Sequence, residues 1–302
     1  MNTLGALTLP RFLETWRLDS VSLAAVVLLG ALYAAGVRRR RRAGGDWPLW
    51  RSAAFAVLGL GTIVLATMSA LAVYDEVLFW PAAVQNIMLD LIAPLGLALG
   101  DPLGLTTWSP RSLRLLTYPL VSSVLVLVSE LTIYFTPYFG TALRSDAVRQ
   151  LMHLQLLLTG CLFVLPMLTG QEMLPRWCTH PVRAALVFLD GLFDSVPGIV
   201  VMTSGTLVAG HWYTAHHPVW AGDLHHDQMI GGGLMLVIAE LVSLPFLLAV
   251  FAQWWRIERT KTAELDARLD REEAARLDPA EAETVQPWWL TDTGEVGRRY
   301  RQ

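Results

Sequence analysis

Seven stretches of the chain are continuously apolar, at about 18–37, 49–73, 80–100, 114–136, 148–169, 183–209 and 228–255. A helix needs roughly 20 such residues to cross a hydrocarbon core. None of the stretches alternates apolar and polar residues as a barrel strand does, and seven is an odd number for a bacterial barrel. In lipid every backbone amide must find a partner, which leaves helices as the solution. The pattern predicts an all-α polytopic membrane protein, a seven-transmembrane-helix bundle over 1–255 with a charged helical tail over 256–302. Pro94, Pro119, Pro166, Pro197 and Pro245 fall inside the spans and are expected to kink them. The first apolar run ends in Arg38–Arg42, the layout of a retained anchor rather than a cleaved signal peptide.

The polar intervals carry charge unevenly. If the helices alternate, Arg38–Arg42, Arg51, Arg111, Arg114, Arg176, Arg183, Arg256, Arg259 and Lys261 fall on one side. The other side has Arg11, Arg17, Arg144 and Arg149, and no Lys or Arg over 74–80 or 210–227. Cytoplasmic loops hold the excess of positive charge, so the N-terminus is expected outside, the C-terminus in the cytoplasm, and the protein in a bacterial plasma membrane. The tail segment 256–283 is rich in Ala, Leu, Glu and Arg and is expected to extend the last span as a helix. Either it is a solvated helix with i,i+4 ion pairs or it is an interaction arm. Trp288 and Trp289 would suit a membrane surface.

Composition agrees: the 302 residues are 54% hydrophobic and 16% charged, against about 25% charged in soluble domains. The net charge of −3 is dominated by the tail. Nothing suggests a nucleic-acid surface, and the expected surroundings are a lipid bilayer. Cys161 and Cys178 form no CxxC pair and no disulfide framework.

Ionisable residues inside spans are functional candidates. They are Asp90 in span three, Glu130 in span four, His153 in span five, Asp190 and Asp194 in span six, and Glu240 in span seven. Asp190 and Asp194 are four apart and share a helix face. Glu130 and His153 are at similar depth on consecutive helices and are expected to be able to touch. These groups serve packing, a proton or ion path, or the surroundings of a metal.

Five of the seven histidines lie in one loop, "HWYTAHHPVWAGDLHHDQ", as His211, His216, His217, His225 and His226. Imidazole is the commonest protein metal ligand and suits copper. Asp227 and Gln228 follow directly, and Met202 and Met229 add soft sulfur nearby. No pair has the helical H-x-x-x-H spacing, so the tract is a compositional signal. The alternative is a polar loop anchored at the membrane interface by Trp212, Tyr213 and Trp220; a pH-sensing loop is a third reading. No Gly-x-Ser-x-Gly, P-loop or HExxH is present, so no enzymatic activity is expected.

The segments "AAVQNIMLDLIAPLGLALGDPL" (82–103), "FLDGLFDSVPGIVVM" (188–202) and "DQMIGGGLMLVIAEL" (227–241) resemble the CtaG-like cytochrome c oxidase assembly proteins, and the charged tail "ELDARLDREEAARLD" is similar to the tails of actinobacterial members. The likeness covers about 50–275. It implies a non-enzymatic role in maturing a haem-copper oxidase, with copper as cofactor or cargo at the outer face and oxidase subunits as partners. It also implies histidines near the outer ends of spans three, four and five. This chain has Ala82 and Asn86, then Phe135, then Arg149 and Met152 at those positions, and keeps only His153. Either the family's metal function is absent, or ligation has moved to His211, His216, His217, His225 and His226, with His153 and Asp227 in support. The leading expectation is copper binding or delivery for oxidase assembly. The alternatives are a metal-free structural scaffold, and a proton-coupled transporter using Asp90, Asp194 and Glu240.

Overall fold

A computed structural model of the chain describes residues 4–106, 118–169, 178 and 180–276. Among them the regular structure is helical, without strands. In chain order the helices are α1 (Leu9–Glu14), α2 (Ser20–Arg42), α3 (Leu49–Tyr74), α4 (Phe79–Leu105), α5 (Pro119–Phe135), α6 (Tyr138–Ala142), α7 (Asp146–Thr169), α8 (His180–Thr203), α9 (Gly210–His216) and α10 (Leu224–Arg276). Six of them, α2, α3, α4, α7, α8 and α10, are long and apolar enough to cross a membrane. The predicted span at 114–136 corresponds to the shorter α5, whose apolar part is Leu120–Phe135. Residues 107–117, with Arg111 and Arg114, lie outside the described residues, as do Arg176 and 277–302 with Trp288 and Trp289.

Several boundaries differ from the hydropathy pattern. The predicted span 183–209 ends at Thr203, because Ser204 and Thr206 bond to each other and to the local backbone, with Thr206 N donating to Ser204 Oγ at 3.1 Å. Such side-chain bonds compete with helix continuation. Pro119 opens α5 rather than kinking it, since a first-turn residue needs no N–H. Helix α8 begins at His180, three residues before the predicted start at 183. Pro166, Pro197 and Pro245 are inside helices as expected. Pro94 follows a π-helical turn, Met88–Ile92, which carries Asp90.

The chain forms two compact units, Met1–Phe251 and Ala252–Gln302. In the first, α4 is the central element: 78% of its most apolar stretch is buried, against 17% for α2. It packs closely on α3 because a π-helical turn, Ala54–Leu60, meets the small residues of 93–99. A Cβ at Gly96 would collide with the backbone of Leu58 and Gly59. Likewise a Cβ at Gly232 of α10 would lie 2.6 Å from Met202 N and 2.7 Å from Gly198 O of α8. Close backbone approach at small residues is how membrane helices gain packing energy when lipid supplies no hydrophobic drive. In the second unit, Arg268 pairs with Glu272 at 2.9 Å and Arg259 lies 5.6 Å over the Trp255 ring.

The two ends of the first unit are held differently. At one end Tyr33 Oη donates to Gly100 O at 2.9 Å, Trp47 Nε1 donates to Tyr33 Oη at 3.1 Å, and Arg51 pairs with Asp101 at 2.8 Å. At the other, residues 4–19, 74–80, 136–150 and 204–228 meet. That second end carries the histidine loop.

Gly96→Val is expected to cost about 1–3 kcal/mol by overpacking. Thermal unfolding in detergent should show a midpoint several degrees below wild type; an unchanged midpoint would mean that α3 and α4 are not in backbone contact there.

Candidate functional site: the histidine end of the bundle

The turn between α3 and α4 organises this end. Tyr213 Oη donates to Asp75 O at 3.0 Å, and Trp212 Nε1 donates to Glu76 O at 2.9 Å. Phe79 N and Trp80 N donate to the two carboxylate oxygens of Asp227 at 2.7 and 3.4 Å. Asp227 therefore caps α4 from another helix, satisfying orphan amides at its N-terminus. The Glu76 side chain pairs with Arg17 and with Arg149, and Arg149 also pairs with Asp146. Asp19 caps α2 through Val21 N at 3.0 Å and bonds Gln150 of α7. Phe79, Tyr134, Phe139 and Tyr213 fill the space beneath, with ring centroids 6.0–6.5 Å apart.

Gln228 joins α8, the 204–209 turn and α10. Its amide donates to Val201 O at 3.1 Å and Thr206 O at 3.0 Å, and accepts from Val208 N at 2.7 Å. Asp223 caps α10 by accepting from His226 N at 3.0 Å. Trp220 Nε1 donates to Leu4 O at 2.7 Å. The loop's aromatic residues thus bond to other segments of the same end.

These bonds divide the loop imidazoles into three places. His216 stacks on Trp212 with centroids 3.9 Å apart, and its Nδ1 lies 2.9 Å from Trp212 O. His211 and His225 line one open depression, together with Thr206, Leu207 and Thr214. His217 and His226 are near enough to Asp227 to interact with its charge, and His217 Nε2 is buried with no partner. Met229 is exposed. Among the described residues no three His, Cys, Asp or Glu side chains gather as a metal-holding set.

The positions where the resemblance implies histidine hold other chemistry. Ala82 and Met152 are buried, Phe135 is half exposed, and Asn86 Nδ2 donates to Tyr134 Oη at 3.1 Å. Arg149 is committed to its two carboxylates. His153 is buried with neither ring nitrogen bonded, and it lines a separate apolar cavity that none of the loop histidines reach. It does not pair with Glu130, whose Oε2 is also without a partner. That expected contact is absent because Glu130 lies instead within reach of the charges of Asp90, Asp190 and Asp194. These four acids are buried between α4, α5 and α8. Thr159 donates to Asp90 at 3.3 Å, and Ser123 bonds Asp190. Glu240 stands apart, accepting from Ser195 at 3.0 Å.

Asp75 and Glu76 escaped the sequence reading. The available signal was an acidic pair directly after an apolar span, on the side where Arg17 and Arg149 are the nearby cations. Burial pushes the Asp75 carboxyl up to about 7, with Arg149 and Arg17 opposing the shift. Its Oδ1 has no hydrogen-bond partner. Burial also holds the Tyr213 phenol well above its ordinary value, so it remains a donor.

The fold and this end together define a polytopic, all-helical membrane protein with a histidine-bearing polar end and a buried acidic group. The profile of the cytochrome c oxidase caa3 assembly factor family matches residues 31–257, well over half of the chain, and the chain belongs to that family. It is 29% identical over 288 residues to uncharacterized proteins of Mycobacterium bovis and Mycobacterium tuberculosis, covering 88% of this chain and 43% of theirs. A Mycobacterium leprae protein, also uncharacterized, is 28% identical over 281 residues, 86% of this chain and 42% of its own. The chain therefore spans less than half the length of these relatives. No solved structure matches it.

A carboxyl whose folded pKa is raised favours folding at low pH. Its contribution is complete below the ordinary 3.8 and is lost as pH rises toward about 7. The free energy of unfolding is expected to fall across that window by an amount on the order of 4 kcal/mol, read as a falling thermal midpoint, and Asp75→Asn should flatten the decline. An Asp75→Asn profile that parallels wild type would place the titration elsewhere.

Proposed function

We propose that this protein is a non-enzymatic accessory factor that passes copper, as cargo, to a haem-copper oxidase during assembly, using the histidine end at the outer face of a bacterial plasma membrane. The observation that carries the reading is His217 Nε2, a buried imidazole nitrogen without a partner beside His226 and Asp227. Imidazole suits copper, and a nearby carboxylate orients and strengthens such ligands. The donor set fits cargo better than a resident ion. Structural metal sites close four ligands around the ion, whereas here four of the imidazoles are shared between two places, His211 and His225 on one depression and His217 and His226 near Asp227, and His216 lies apart. Paired donors hold an ion loosely enough to release it.

The charge asymmetry supports N-terminus outside and C-terminus cytoplasmic, which sets the histidine end where an oxidase receives copper. Family membership supports oxidase subunits as partners. One observation favours a second reading, proton-coupled transport: the buried group of Asp90, Glu130, Asp190 and Asp194. Ionisable residues at that depth mark ion or proton pathways in other membrane proteins. Glu240, the third acid expected in such a path, bonds Ser195 instead.

Protein purified from copper-supplemented cells is expected to hold near one equivalent of copper by elemental analysis. Alanine at His211, His217, His225 and His226 together should remove it, with His217→Ala alone accounting for most of the loss. Unchanged copper in the quadruple variant would sink the loop as the copper site.

A further inference from the structure

A cavity of about 450 Å3 lies between α2, α3, α4 and α7. Its walls are mainly aliphatic, with Ile63, Leu89, Leu154 and Leu157 among them. This is the size and character of a small-molecule site, which is typically about 300–1,000 Å3, apolar, with few convergent polar groups. The polar groups of the wall are already engaged, with one exception. Thr67 donates to Ile63 O at 2.8 Å, Ser22 donates to Asp19 at 2.8 Å, and Gln150 bonds the same carboxylate. The exception is His153, 7% exposed, with both ring nitrogens buried and unbonded. An unsatisfied buried group costs about 1–3 kcal/mol, and two on one ring call for an occupant.

The rim is open toward the lipid-facing side of the bundle. Val21, Leu151 and Leu154 line the cavity and are 59%, 57% and 51% exposed. A ligand can therefore enter from the hydrocarbon and leave an apolar tail outside. We propose that this cavity binds a lipid-soluble compound with a flat carbonyl-bearing ring and an apolar tail, the chemical class of the membrane quinones, with the His153 ring, whose nitrogens have no exposed surface, turning to hydrogen-bond the ring oxygen. Either imidazole tautomer offers one donor and one acceptor, so the same side chain serves the carbonyl of the oxidised ring and the hydroxyl of the reduced one. A phospholipid is the competing occupant, its phosphate placed in the adjoining polar cavity that shares Val21, Ala147 and Gln150. Both arginines there, Arg17 and Arg149, are already ion-paired with Glu76, and Arg149 also with Asp146. The unmet hydrogen-bonding capacity lies at the His153 ring instead.

The test is a titration of the full chain, in nanodiscs of synthetic phosphatidylcholine, with decylubiquinone, read by quenching of tryptophan fluorescence. Saturable single-site binding is expected, weakened roughly tenfold or more in His153→Leu by loss of the buried hydrogen bond. Ala25→Trp, which fills the cavity from the exposed side of α2, should abolish binding while leaving the thermal midpoint within a few degrees of wild type. If His153→Leu does not fold, Ala25→Trp decides. The proposal is overturned by the absence of saturable quenching, by undiminished binding in either folded variant, or by equal competition from decanol or phosphatidylglycerol, which would mean that the tail or a phosphate is what the site recognises.

Discussion

Two residues of the turn after α3 hold the histidine end in place. Asp75 and Glu76 present backbone carbonyls to Tyr213 and Trp212, residues more than 130 positions later, and the amides that follow are received by Asp227. A loop between two membrane helices would otherwise leave its ends free to splay. Here each long-range bond fixes one aromatic residue or one helix start, and the imidazoles take their positions from those anchors. His216 is placed by Trp212, His217 by the chain leaving α9, and His226 by the Asp223 cap of α10. The close approach of α10 to α8 at Gly232 lies one turn from Gln228, so the backbones of these two helices are in contact next to the anchoring segment.

The rest of the polar chemistry obeys the cost of placing charge in lipid. Four acids are collected in one buried group on α4, α5 and α8, bonded by Thr159 and Ser123. His153 is kept apart, facing an apolar cavity on the α2–α7 side. The histidine end, the acidic group and the cavity thus form three separate polar features in one unit. Membership of the caa3 assembly factor family brings the histidine end forward, since the histidines that the family resemblance implies at the span ends are here replaced by Ala82, Asn86, Phe135, Arg149 and Met152.

Much of this was legible in the sequence, for reasons specific to membranes. Apolar run length reports directly on helices, so α2, α3, α4, α7, α8 and α10 are visible as hydropathy. Their ends are less so: the Ser204–Thr206 turn cut short an apolar run that continues to 209, and Pro119 began a helix instead of bending one. The site was legible as composition but not as geometry. Five histidines in one loop suggested a single cluster. Stacking on Trp212 and capping by Asp223 and Asp227 separate them into three places, with His216 by itself, and no spacing rule reports such tertiary bonds. The Asp75–Glu76 anchor was missed because its backbone oxygens, which any residue carries, make the contacts.

The central claim is that the histidine end serves oxidase assembly. It is tested most directly by replacing the gene in its host with a variant bearing alanine at His211, His217, His225 and His226, then measuring terminal oxidase activity and oxidase-bound copper in isolated membranes. The account predicts that both fall toward the level of a deletion strain while the variant protein remains present at wild-type abundance, and that added copper restores part of the activity. Full oxidase activity and copper content in that strain would contradict it.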